Sequence, residues 1–167
     1  MDAFEDIYGE YFPRVYVFLY RMCRSADLAE ELTQETFYEA FKSFRRFRGE
    51  SELFTWLASI AKHVYFSHLR KNKRGELVEL ELLTDTLSDG GADPSIGIQH
   101  EETVKSVRRA IKKMPQKYKD VVVLRIYAEL PFSEIADSLG ITENSAKVIF
   151  HRAKKMLTEE LENEYFV

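Results

Sequence analysis

The chain has 167 residues, 45% of them hydrophobic and 13% aromatic, which suits one or two small globular domains and excludes a disordered protein. Its single cysteine, Cys23, excludes an internal disulfide framework and a multi-cysteine zinc site, and fits a reducing cytoplasm. The formal net charge of −4 conceals segregation: Gly75 to Val104 holds acids without one lysine or arginine, whereas bases outnumber acids from Lys105 to Lys155.

The first residues, MDAFEDIYGEYF, are acidic and aromatic, unlike the basic start of a signal peptide, and no apolar run is long enough to span a bilayer. A cytoplasmic location is expected. Glu5 to Cys23 has a helical pattern rich in aromatic residues, at which Pro13 predicts either a restart or a kink. After the polar break Arg24-Ser25-Ala26-Asp27, a second helix is predicted from Leu28 to about Phe44. Leu32, Thr36, Phe37, Ala40, Phe41 and Phe44 form its buried stripe, and Glu30, Glu31, Gln34, Glu35 and Glu39 its polar side. A short basic connection, Arg45 to Ser51, contains Gly49 and precedes a third helix, Leu53 to about Lys71, with a basic far end. Three helices with short links make one domain, residues 1–74.

Residues 75–99 read as a flexible acidic linker: a few leucines, then Ser88-Asp89-Gly90-Gly91-Ala92-Asp93-Pro94-Ser95, a run that favours turns. Residues 100–167 make a second domain. Helices are predicted at Thr103–Lys113, with Val104, Val107 and Ile111 buried, and at Tyr118–Tyr127, with Val121, Val122, Leu124 and Ile126 apolar. The fold class is all-α, with two small helical domains and no strand pattern.

The stretch Pro131 to Leu157 reads as two helices joined by a tight turn. Ser133 is placed to cap the first, Gly140 to make the turn, and Thr142 to cap the second. Ala146, Phe150, Ala153 and Leu157 face inward, while Asn144, Lys147, Val148, His151, Arg152 and Lys155 share the opposite face. A helix apolar inside and basic outside, set after a glycine turn, is a helix-turn-helix whose second helix suits a major groove.

Three stretches then fall in order: AEELTQETFYEAFKSFRRF, FRGESELFTWLASIAKHVYFSHLRK and MPQKYKDVVVLRIYAELPFSEIADSLGITENSAKVIFHRAKKML. Together they resemble the signature regions of a bacterial RNA polymerase sigma factor, closest to the small extracytoplasmic-function (ECF) class, from about Tyr11 to Leu157. The resemblance implies binding to core RNA polymerase through Glu31, Leu32, Gln34 and Glu35, with Glu31 standing where aspartate is common. It implies minus-ten element recognition and melting by Arg45, Arg46, Phe47, Arg48, Phe54, Trp56, Lys62, His63, Ser67 and Arg70. There arginines grip phosphates and aromatic rings receive an unstacked base, although helical spacing favours Trp56 as core. His63 stands where asparagine is usual, and Ser67 where an acid or amide is common.

It further implies duplex minus-thirty-five recognition by Ser145, Lys147, Val148, His151, Arg152, Lys154 and Lys155, with Lys147 or Arg152 suited to guanine and Val148 to a thymine methyl. Ile149 replaces a common basic residue. The linker would either mimic nucleic acid in a polymerase channel or simply stay solvated. An anti-sigma factor is an implied partner. A stand-alone helix-turn-helix regulator is the alternative. No small-molecule substrate, cofactor or catalytic group is expected, because no P-loop, dinucleotide motif or nucleophilic triad is present. No metal is expected either, since His63 and His68 have no third ligand.

Overall fold

The computed structural model describes residues 2–72 and 94–166. The predicted linker lies outside the described residues except for its last turn-forming part, which is helical. In chain order the elements are α1 (Asp2–Cys23), α2 (Ala26–Ser43), a 3₁₀ turn (Phe44–Arg46) and α3 (Leu53–Asn72). They continue with α4 (Pro94–Lys113), α5 (Gln116–Val122) running into a π turn (Val123–Tyr127), α6 (Phe132–Leu139) and α7 (Glu143–Phe166).

Helix α1 passes through Pro13 without a break. Its last turn ends at Arg24, which takes a positive φ of 57°. Ser25 then caps α2, its Oγ accepting from the Leu28 amide at 3.3 Å. Ala29, Leu32, Thr33, Thr36, Phe37 and Ala40 form the buried stripe of α2, and the Thr33 and Thr36 hydroxyls donate to carbonyls one turn back, so neither is left unsatisfied. Facing them from α1 are Val15, Phe18, Leu19 and Met22, and from α3 Leu57, Ala58 and Ala61. Each large side chain fully buried in this way contributes about 1.5–3 kcal/mol. Phe41 corrects the predicted stripe: it is 52% exposed, at the rim of a ring cluster with Phe4.

In the second domain α4 starts nine residues earlier than the periodicity predicts, at Pro94 rather than Thr103. Proline suits a first helical position, where its missing N–H costs nothing. Helix α5 opens after Pro115, and its continuation widens into the π turn, with the Ala128 amide donating to the Val123 carbonyl at 3.2 Å. The extra residue rotates the following side chains, and Ile126, one of the four apolar residues named for this helix, is 44% exposed. Ser133 does not cap α6. Pro131 occupies the cap with extended backbone, and the helix begins at Phe132.

The two domains touch. Helix α3 packs against α6 and the π turn, and α1 against the π turn. The Arg21 guanidinium donates to the Tyr127 carbonyl at 3.4 Å and lies 3.5 Å from the Glu129 carboxylate. Arg108 reaches the Cys23 carbonyl at 3.5 Å.

Candidate nucleic-acid and polymerase interfaces

The recognition-helix end is built by local rules. Gly140 closes α6 in the left-handed region, with φ 65° and ψ 36°, and its amide donates to the Ala136 carbonyl. The Ile141 amide donates to the same carbonyl at 3.0 Å. Thr142 caps α7: its Oγ1 accepts from the Ser145 amide at 3.1 Å and donates to Ser145 Oγ at 2.8 Å. Ala146 and Ala153 are completely buried, and their small size brings the α7 backbone close to its neighbours. Phe150 packs at an angle on Phe132, with ring centroids 5.5 Å apart, and the Arg125 guanidinium lies over the Phe132 ring at 4.2 Å.

With that face inward, Lys147, Val148, His151, Arg152 and Lys155 project into solvent on one face of α7. Lys154 is exposed too, but its ammonium folds over the Phe150 ring at 5.3 Å. Ser145 is half-buried at the first turn. Glu143, which the motif reading did not single out, lies 3.1 Å from Lys147. Lys147 must therefore exchange that partner to reach a base or phosphate. The i, i+4 spacing of Glu143 and Lys147 was the available signal.

In the first domain the connection after α2 turns at Gly49, φ 70°. Arg45, Arg46 and Arg48 are exposed on it. Phe47 leans on Trp56 with centroids 4.8 Å apart, and Phe44 lies on that ring at 6.4 Å. The loop is thus pinned to α3 through Trp56, which is half-buried. His63 and Arg70 are exposed further along α3, and Ser67 is partly exposed. Although its edge meets solvent, partial desolvation of the His63 ring and then the neighbouring Lys62 ammonium push His63 below its usual value, against the opposing pull of Asp120.

Two expected minus-ten residues are placed otherwise. Phe54 is buried, with the Arg14 guanidinium 3.6 Å over its ring, so its ring is packed in the domain rather than open to solvent. The Lys62 side chain is only 1% exposed, its ammonium 3.1 Å from the Asp120 carboxylate of the second domain. Both depend on tertiary neighbours far away in sequence, which periodicity does not reveal.

On α2, Glu31, Gln34 and Glu35 are exposed in one strip, whereas Leu32 is completely buried and belongs to the core. The strip continues one turn on into Tyr38 and Phe41, 62% and 52% exposed. The sequence reading missed these two aromatics, although Tyr38 lies at i+7 from Glu31 on the same face. Among the described residues no group of three His, Cys, Asp or Glu side chains is arranged to hold a metal, and His68 is engaged with Asn72 at 2.9 Å.

Residues 7–75 match the Sigma-70 region 2 family, and residues 105–157 match Sigma-70, region 4. The chain is 30% identical over 170 residues to the RNA polymerase sigma factor YlaC of Bacillus subtilis, a match spanning 98% of this chain and 96% of that one. It is also 30% identical over 167 residues to the ECF sigma factor SigW of the same organism, spanning 96% and 89%. Among solved structures, the sigma factor RpoE of Bartonella quintana, crystallised with the anti-sigma factor NepR, has the same fold, with a TM-score of 0.59 at 19% identity over 97% of this chain and 98% of that one. CnrH, solved with the cytosolic domain of CnrY, matches with a TM-score of 0.60 at 15% identity over 97% and 89%.

The chain belongs to the RNA polymerase sigma factors of the ECF class. It is a promoter-specificity factor that joins core RNA polymerase and promoter DNA to start transcription, in a family of non-enzymatic initiation factors.

Proposed function

We propose that the work is divided between three surfaces. Helix α2 docks on core polymerase through Glu31, Gln34 and Glu35, extended by the exposed rings of Tyr38 and Phe41. An acidic strip continuous with an apolar edge suits a basic helical surface, because charge steers the encounter and the rings supply desolvated contact. The loop of Arg45, Arg46, Phe47 and Arg48, with Trp56, His63, Ser67 and Arg70 on α3, holds the separated minus-ten strand. Helix α7 reads the minus-thirty-five duplex through Lys147, Val148, His151 and Arg152, with Ser145, Lys154 and Lys155 on phosphates.

One observation carries this reading: the capped, glycine-terminated helix pair leaves a basic face outward in one domain, while the other domain carries an arginine loop pinned on a half-buried tryptophan. Two readers in one chain need a third body to set their spacing, and polymerase is that body. The domains are residues 1–74 and 100–167, the second extended at its start by the helical residues from Pro94. The protein has no catalytic role of its own and works in the cytoplasm. No helix among the described residues is long and apolar enough to cross a membrane. An anti-sigma factor is its inhibitor, as NepR is the anti-sigma partner of RpoE.

The test is reconstitution with purified core polymerase on a promoter fragment. Promoter-dependent transcripts are expected, and the paired substitution Gln34→Ala/Glu35→Ala is expected to weaken polymerase binding while leaving the thermal transition in place. DNA binding by the free protein with no effect on polymerase would instead identify a stand-alone regulator.

A further inference from the structure

Glu143 is the first residue of α7 and stands at the head of a row that faces outward. Glu143, Lys147 and His151 follow one another at four-residue spacing, so their exposed side chains lie in line on one face. The Glu143 side chain is 52% exposed, and its carboxylate lies 3.1 Å from the Lys147 ammonium. Closing the helix start does not use it, because Thr142 and Ser145 form the cap between them. The helix that grips DNA with cations thus carries a carboxylate into the groove at its leading end.

That placement restricts what the carboxylate can face. Phosphates repel it, and so do the major-groove edges of guanine, with N7 and O6, and of thymine, with O4, since all are acceptors. The donors there are the amino groups, cytosine N4 and adenine N6. Adenine sets its amino group beside the acceptor N7, whereas cytosine presents the amino group alone, and it is cytosine that a glutamate accepts from best.

We infer that Glu143 is a specificity-determining residue of the minus-thirty-five reader, accepting from a cytosine amino group close to the guanine taken by Lys147. This rests on the reading of α7 as the minus-thirty-five helix. The two side chains work as a latch. Where a sequence offers both bases, the ion pair is exchanged for two base contacts and each charge keeps a partner. On any other sequence Lys147 reaches the DNA only by leaving the carboxylate stranded, so the pair stays closed and binding is weaker. Selection then comes from rejection of wrong bases as much as from attraction to right ones. Four residues of helix advance about 6 Å, and successive base pairs are about 3.4 Å apart, so the cytosine lies within about two base pairs of the guanine.

The test assembles the full-length chain with core polymerase and selects bound duplexes from a pool randomised across the minus-thirty-five region. Wild type is expected to favour guanine at one position and cytosine at a neighbouring one, each about tenfold over the other bases. Glu143→Ala is expected to keep the guanine and lose the tenfold preference for cytosine, binding the previously rejected sequences more tightly than wild type does. Glu143→Gln is expected to move that position from cytosine to adenine, because a glutamine amide pairs with adenine N6 and N7 together. It also preserves the size of the side chain, so the switch stays measurable if the alanine variant folds poorly.

A carboxylate in the first turn also suits the helix dipole. If that were its whole role, both variants would change affinity equally on every sequence and select the same pattern as wild type, and this result overturns the inference while leaving the division of surfaces standing. A wild-type assembly that selects no minus-thirty-five pattern at all would overturn the assignment of α7 itself.

Discussion

Replacing Gly140 by alanine isolates one backbone term in the turn that aims the recognition helix. A Cβ built at Gly140 meets nothing within 4 Å, so the substitution carries no steric clash with neighbours. What remains is the left-handed backbone at φ 65°, which costs a residue bearing a Cβ roughly 1–2 kcal/mol. Alanine also restricts the unfolded chain, which returns about 0.4–1 kcal/mol. The net loss is therefore about 1 kcal/mol, a drop of roughly 4–8 °C in the melting temperature of a domain this size. Gly140→Asn should lose less, because asparagine tolerates this region. Trp56 is the only tryptophan and lies in the first domain, so its fluorescence follows that domain while far-UV circular dichroism follows both. The dichroism transition is expected to shift, and the affinity of the folded fraction for minus-thirty-five DNA to stay the same. A loss above about 3 kcal/mol would mean that an unseen contact crowds the turn, and no loss would mean that the residue is not held left-handed.

Thr142→Ala removes the cap of α7 and should cost about 0.5–2 kcal/mol in urea unfolding, with Thr142→Ser restoring most of it. Arg152→Ala should cost about 1–3 kcal/mol on the preferred promoter and flatten preference at one minus-thirty-five position; an equal loss on every sequence would show that Arg152 only holds phosphate. His63 is pushed below its usual value by partial desolvation and by Lys62, so the folded state takes up its proton later than the unfolded one. Its contribution is intact above the ordinary histidine value near 6.5 and is lost as pH falls from there through the depressed folded value. Wild type should therefore lose stability relative to His63→Gln between pH 7.5 and 5, and parallel urea midpoints across that range would refute the shift.

Elements set by neighbouring residues were readable from the chain. The glycine turn, the Thr142 cap and the inward alanines of α7 all follow from spacing within one or two turns. Where a local rule had a competitor the reading slipped. Ser133 has the chemistry of a cap, but Pro131 fixes extended backbone two residues earlier and takes the position. Pro94 follows a turn-forming run, yet it opens α4. Phe41 continues the spacing of Phe37 but falls at the edge of the contact with α1, and Ile126 is turned outward by the one-residue excess of the π turn. Most of the expected contact residues on α7 and on the arginine loop are presented to solvent, with Ser145 and Phe47 half-buried. The buried ones are Leu32, Phe54 and Lys62, whose surroundings come from other helices, in the case of Lys62 from the other domain. Helical periodicity identifies which side of a helix is apolar. It carries no information about a charged partner 58 positions away, the separation of Lys62 and Asp120.

Helix α7 runs on well past the residues that face DNA, and its far end is tied to α4 by Glu160 to Lys113 at 3.0 Å and by Glu164 to Arg109 at 2.6 Å, both pairs open to water. Exposed ion pairs weaken as counterions crowd in, over the same range of ionic strength in which lysine and arginine lose their hold on phosphate. Added salt thus acts on the recognition helix twice, displacing it from the duplex and loosening the brace behind it. A plot of log affinity against log salt for this protein should then be steeper than its phosphate contacts alone require, and shortening the chain at Leu157 should bring the slope back toward that smaller number.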